Sequence, residues 1–337
     1  MGQVLFAGGR LDSVSVTGGA PAEVSTAGRF DATYADAAVD CVAAAGQIQA
    51  TFVDASNNPV DVTTGQTLYA HFEMYCKAVG PFSTSTNHAC LVDSSGNTWL
   101  ALRHAGSSGL LGLFYNSGTA GAPVWTQIGS GTFSANTSLF VFDLKLTLGS
   151  PHSVEWSVGN SVVQSGTFTQ ASLTTLRGLR LGLSASLVFS QILCTEGKST
   201  IGAKVKYRRA TGAGGNSGWS GAATNVNEAV NSDATVDTAT SAGLRQTYPM
   251  TAVTVPANYA IASIFHFLRA KNDGAAPQNI KSSVRVSTTN YDYGSNMPGI
   301  GTSFGPCVAR YDTDPSTSAP WSQSGANAAE FGYLSAT

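Results

Sequence analysis

The chain has 337 residues, enough for two ordinary domains, and only 11% of them are charged, against roughly 25% in an average soluble protein. Eighteen Lys and Arg against 20 Asp and Glu give a net charge of −2, and no basic block calls for a nucleic-acid partner. No apolar run approaches the ~20 residues of a membrane span, so no membrane partner is expected, and the dearth of Glu, Lys and Arg argues against long solvated helices.

The first residues, Met1 to Arg10, lack a basic start and a long apolar core, so they are not read as a signal peptide, and Gly2 lacks the Ser or Thr of a myristoylation site. Ala32 to Ala45 is alanine-rich without a clean apolar face, and is read as a short helix or a strand. Strand patterns then dominate: Thr67 to Tyr75, Asn97 to Arg103, and Leu139 to Leu148 closed by Gly149-Ser150-Pro151. Ser153 to Val158 alternates polar and apolar, Gly159-Asn160 supplies a turn, and Val162 to Phe168 returns, which predicts a hairpin. Gly178 to Ser184 and Leu187 to Leu193 add two strands. Short strands with a turn signal every ten or so residues predict a sandwich.

The pattern breaks near Glu196 to Thr200, and a glycine-rich stretch from Ala210 to Gly221 follows. Between them Lys204, Lys206 and Arg208 alternate with Val205 and Tyr207, the period of a strand with one solvent face. Trp219 needs something to pack on, which argues against a passive linker. A second β-domain starts near Val226, with strands over Tyr259 to Leu268 and Ile280 to Thr288 joined by a loop from Ala270 to Pro277. The glycine-rich loop Tyr291 to Gly301 offers Tyr291 and Tyr293 as contact residues. The expected organisation is a domain over 1–196, a connector over 197–225 and a domain over 226–337: all-β, two antiparallel sandwiches of the jelly-roll kind.

Candidate chemistry is sparse. Gly197-Lys198-Ser199-Thr200 ends like a P-loop, but Ile192 stands where the leading glycine belongs. The five cysteines, Cys41, Cys76, Cys90, Cys194 and Cys307, are odd in number and widely spaced, which points to assembly in a reducing cytoplasm without a disulfide framework. Cys76, His88 and Cys90, with His71 or Cys41, lack the close pairing of a zinc site. Glu73 and Glu155 are isolated carboxylates, read as solvent-facing strand residues, and no G-x-S-x-G elbow occurs. Neither a cofactor nor a metal is expected, although Asp93 and Asn97, or Asp54, Asn57 and Asn58, have the oxygen ligands that Ca²⁺ takes. Aromatic rings stack on sugars, and Trp99, Trp125 and Tyr115 are the candidates for binding one; most of the tryptophans are expected in the core.

The strand succession from Leu68 to Leu193, and above all the segment Leu144 to Phe168, resembles the concanavalin A-like, or laminin G-like, jelly roll. That superfamily spans lectins, glucanases and structural modules, so the resemblance implies fold and no single function. Its familiar glucanase motif E-x-D-x-x-E is absent. The last third, with Asp314-Pro315, Thr317, Trp321 and Asn327-Ala328-Ala329-Glu330-Phe331-Gly332, resembles the C-terminal β-domains of tailed-bacteriophage head and tail appendage proteins. This implies a non-enzymatic virion structural protein, a head decoration or fibre or a tail appendage, assembled in the host cytoplasm. Its partners would be other virion proteins and further copies of itself, with Trp219, Tyr291, Tyr293 and Trp321 at interfaces. The alternative is a receptor-binding protein whose first domain holds a host surface glycan.

Overall fold

The computed structural model describes residues 2–35, 37–41, 46–77, 86–106, 109–135, 137–182, 187–228, 232–275, 277–297 and 300–337. The chain forms two compact units, Met1–Val53 with Pro59–Val205, and Asp54–Asn58 with Lys206–Thr337.

The strands of the first unit are β1 (Gln3–Gly8), β2 (Ser15–Gly18), β3 (Ala22–Val24), β4 (Ala38–Cys41), β5 (Gln47–Thr51), β6 (Val62–Thr63), β7 (Thr67–Cys76), β8 (Asn87–Val92) and β9 (Thr98–His104). They continue as β10 (Leu110–Asn116), β11 (Trp125–Ser134), β12 (Leu139–Thr147), β13 (His152–Val158), β14 (Ser161–Phe168), β15 (Thr175–Leu176), β16 (Gly178–Gly182) and β17 (Leu187–Glu196). Two large antiparallel sheets form a sandwich. One runs β14-β13-β12-β7-β17-β4-β3 with β1 also on β17; the other runs β11-β10-β9-β8-β16-β5-β2. The all-β class and the two-sheet sandwich expected from the alternating sequence are what the chain adopts.

Period-two alternation sends every second side chain between the sheets. From the first sheet come Phe72, Phe142, Trp156 and Phe189, with Phe72 stacked on Phe142 at 5.3 Å and Phe142 parallel to Trp156 at 6.2 Å. Leu91, Leu100, Leu102, Leu113 and Leu179 answer from the second. Each such side chain contributes about 1.5–3 kcal/mol of burial. The predicted hairpin is present: at its tip Gly159 and Asn160 take φ of 57° and 69°, the positive pair a two-residue type I′ turn demands.

The second unit contains β18 (Arg245–Pro249), β19 (Ile264–Ala270), β20 (Asn279–Val286), β21 (Thr289–Asp292), β22 (Gly305–Tyr311), a short helix α1 (Gln323–Ala328) and β23 (Ala329–Ala336). A four-stranded sheet, β18-β23-β20-β21, and a two-stranded ribbon, β19-β22, make a smaller sheet region. The two are tied by His266 and Tyr311 of the ribbon, which both meet the Ser282 hydroxyl of the sheet. Gly332 is required where β23 meets β18: a Cβ there would lie 1.9 Å from the Gln246 carbonyl oxygen.

Three expectations change. Lys204 to Arg209 is extended but pairs into no strand. Instead of facing solvent, Arg208 donates to the carbonyls of Thr251 and Ala326, both at 2.7 Å. The strand expected from Tyr259 begins only at Ile264, because Ala257 to Ala260 are exposed and have no neighbouring strand to bury against. The glycine-rich stretch is bound into the second unit, where Gly214 and Gly218 donate to the carbonyls of Thr247 and Arg245. Of the segment Ala32 to Ala45, the strand β4 is described, while Asp36 and residues 42–45 lie outside the described residues.

Candidate functional site

Residues that point away from the core on the seven-stranded sheet are the ones free to meet a ligand. Strand register aligns them: Gln49 opposes Arg180, Arg180 opposes Cys90, Cys90 opposes Ala101, Ala101 opposes Phe114, and Phe114 opposes Gln127. This row crosses six strands, about 24 Å at ordinary strand spacing. On neighbouring rows Arg103 follows Ala101 and Trp125 precedes Gln127. Cys90, Val92 and Ala101 form a small apolar cluster of their own, and Trp125 packs on it. The Arg103 guanidinium lies over the Trp125 ring, 4.5 Å from its centroid, and donates to the Asn87 side chain. Arg180 is half-buried and donates through Nε and Nη2 to one neutral acceptor, Gln49 Oε1, at 3.3 and 3.0 Å. Two buried glycines admit close neighbours: a Cβ on Gly112 would meet the Gln127 amide at 3.0 Å, and one on Gly178 would meet the Ala50 carbonyl at 2.9 Å.

The three aromatic candidates separate. Trp99 and Trp125 share this face, but Trp99 is only 4% exposed and its Nε1 donates to Asp93 at 2.9 Å, so it offers no ring to a sugar. Trp125 is half-buried on the face. Tyr115 alternates to the opposite side and stacks on Phe168 at 4.8 Å.

The calcium-like turns are filled from within. Asp93 accepts from the Ser95 and Asn97 amides, the Asn97 side chain and Trp99. Burial alone would raise its pKa, but these hydrogen bonds outweigh it and hold the carboxyl below the ordinary range. Asp54 likewise accepts from Ser56 and Asn58. Among the described residues no group of three His, Cys, Asp or Glu is placed to hold a metal. All five cysteines are free and buried, and burial pushes the Cys76 and Cys90 thiols up to about 11.

The isolated carboxylates also resolve. Glu73 is buried rather than solvent-facing: it accepts from the Ser190 hydroxyl at 2.8 Å and the Asp31 amide at 3.2 Å, with the Lys204 ammonium 3.7 Å away. Beside it, still on the outer side of the eight-stranded sheet, Asp143 meets His71 Nδ1 at 3.0 Å and accepts from Thr200 at 2.8 Å. Gln191 exchanges both amide bonds with Val205. These contacts fasten Thr200 to Val205 onto the sheet; they are a clasp rather than an open site. Glu155 stands opposite Lys145 in the register, a complementary cross-strand pair.

In the second unit Trp321 is buried, donates from Nε1 to the Tyr311 carbonyl at 3.1 Å and lies 6.1 Å from Phe331. It is therefore a core residue, and its ring has no surface for an interface. Trp219 is half-buried, edge-on to Tyr333 at 4.6 Å, with Nε1 donating to the Leu244 carbonyl. Tyr291 opposes Val284 in the sheet and Tyr293 sits edge-on to Tyr311 at 5.3 Å; both are half-buried.

Sequence reasoning overlooked Arg103, Arg180, Gln49 and Gln127. The signal was there in part: period two places Arg103 with Trp99, and Arg180 with Gly178 and Gly182. What joins them is strand order, since β16 lies between β5 and β8 although far from both in sequence.

No family model matches the chain, and no curated protein is similar to it. Weak likenesses to solved structures exist. The globular domain of T. cruzi calreticulin is 10% identical, covering 57% of this chain and 88% of that one, with a TM-score of 0.40. An endo-β-1,4-glucuronan lyase from the fungus Trichoderma reesei is 12% identical, covering 56% and 93%, at 0.38. Domain 4 of the arabinanase AbnA from Geobacillus stearothermophilus, solved with arabinotriose, is 17% identical, covering 58% and 82%, at 0.36. At such scores the architecture rests on the sheets themselves, and no ligand carries across.

Proposed function

We propose that the chain is a non-enzymatic structural protein of a tailed-phage virion, a head decoration or fibre or a tail appendage, acting through protein–protein contacts and as a homo-oligomer. The observation that supports this reading best is what the resembling C-terminal residues do. Trp321 and Phe331 are core. Asp314 accepts from the Ser316 amide and hydroxyl and so closes its turn. Asn327 exchanges two hydrogen bonds with Val253, at 2.8 and 2.9 Å. Glu330 binds Arg285, Thr247 and Gly215. The pattern is spent on rigidity, which is the property a particle component needs, and leaves no side chain over for chemistry. Immunogold labelling with antibody to the chain tests it: decoration of phage particles at one repeated position agrees, and unlabelled particles beside labelled free protein refute it.

A second reading, host-glycan binding by the first unit, is favoured by one observation: an outer sheet face on which half-buried Trp125, Arg180, Gln49 and Gln127 stand on neighbouring strands. The two readings are compatible, since a particle appendage can display a binding face.

A further inference from the structure

We infer that the outer face of the seven-stranded sheet is a site for a carboxylate-bearing glycan, with Arg180 as its anion contact. The inference rests on the glycan-binding reading and sharpens its ligand class.

Three features support it. First, among the described residues no carboxylate pairs with Arg180, whose Nε and Nη2 both donate to the neutral Gln49 oxygen. A half-buried guanidinium with hydrogen-bond donors to spare and no counter-charge fits a planar oxyanion, which it can grip with two parallel bonds. Second, the other guanidinium on this face is already engaged: Arg103 is buried, lies against the Trp125 ring and donates to Asn87, which leaves Arg180 as the cation a ligand can reach. Third, the rest of the row has the makeup of a carbohydrate face. Gln49 and Gln127 present amides that can both donate and accept with hydroxyls. Phe114 and Trp125 give apolar ring surface. The chain as a whole is slightly acidic, so this positive face is local and not a by-product of overall charge.

The test is a glycan array probed with the full chain, holding neutral oligosaccharides beside oligogalacturonate, hyaluronan oligomers and polysialic acid. Titration calorimetry then follows with the tightest carboxylated binder and its carboxyl-reduced counterpart. The expected result is binding confined to carboxylated chains. It should weaken at least tenfold on carboxyl reduction and markedly between 25 and 300 mM salt, over which the Debye length shortens about 3.5-fold. Arg180→Gln should weaken it at least tenfold with an unchanged melting temperature, and Gln49→Ala should weaken it less. Equal binding of reduced and carboxylated forms overturns the inference and leaves glycan binding standing. So does wild-type affinity in both variants, which moves the site elsewhere. Failure to bind any glycan overturns the inference and the glycan reading together.

Discussion

Acid should loosen the second unit, and His266 sets the size of the effect. Its ring is buried, with Nδ1 2.7 Å from the Ser282 hydroxyl, which in turn accepts from the Tyr311 hydroxyl. The chain Tyr311 to Ser282 to His266 ends on an imidazole that accepts, so the neutral ring is the one that fits. Burial pushes its pKa down to about 4, against about 6.5 in an unfolded chain. Between those values the unfolded state binds more protons than the folded one. The stability contribution is therefore whole above about pH 6.5 and is lost as pH falls toward 4. From pH 7 to 5 the loss works out at about 2 kcal/mol. Hydrogen exchange at the amides of β20 and β23 as a function of pH reads this within the second unit, apart from His88 in the first, where burial, then His104 and Arg103, likewise push the pKa down to about 4. His266→Gln should abolish most of the slope in β20 and β23. A stability flat from pH 7 to 5, with a His266 ring titrating near 6.5 by NMR, would refute the reasoning.

Trp321→Ala should cost the second unit about 3–5 kcal/mol, whereas Trp321→Phe, which mainly loses the bond to Tyr311, should cost about 1 kcal/mol beyond its small volume change; denaturant midpoints measure both. Thr200→Val removes the hydroxyl that Asp143 holds and should speed hydrogen exchange over Ile201–Val205 roughly tenfold, a local loss of about 1–2 kcal/mol, with β7 and β12 unaffected. The cysteines should resist a thiol reagent at pH 8 for as long as the chain is folded, since burial pushes Cys41 and Cys307 up to about 12; all five should react in strong denaturant.

Local patterns carried the first unit well. The hairpin over His152 to Phe168 was legible because alternation, a Gly-Asn turn and a second alternating run all agree, and the positive φ values at Gly159 and Asn160 are the physical counterpart of that turn. Strands β7, β12 and β17 fall within a few residues of their expected ends. The stretch after β17 was less legible. Lys204 to Arg209 alternates like a strand, yet alternation only says that two sides differ. Here the polar side meets protein: Lys204 lies beside Glu73 and Arg208 donates to backbone carbonyls. The tryptophans show the same limit: aromatic composition could nominate Trp99, Trp125 and Tyr115 but not say which ring is sealed in, which lies on a face and which turns inward. That depends on neighbours far apart in the chain, as Gln49 and Arg180 are, 131 residues from one another.

Cryo-microscopy of purified virions proposed to carry this chain tests the central claim most directly. The account predicts density for a two-sheet β-sandwich joined to a smaller β-unit, repeated with the symmetry of head or tail and fitted by this fold. Particles with complete density and no place for the chain, and no peptides from it by mass spectrometry, would contradict the account.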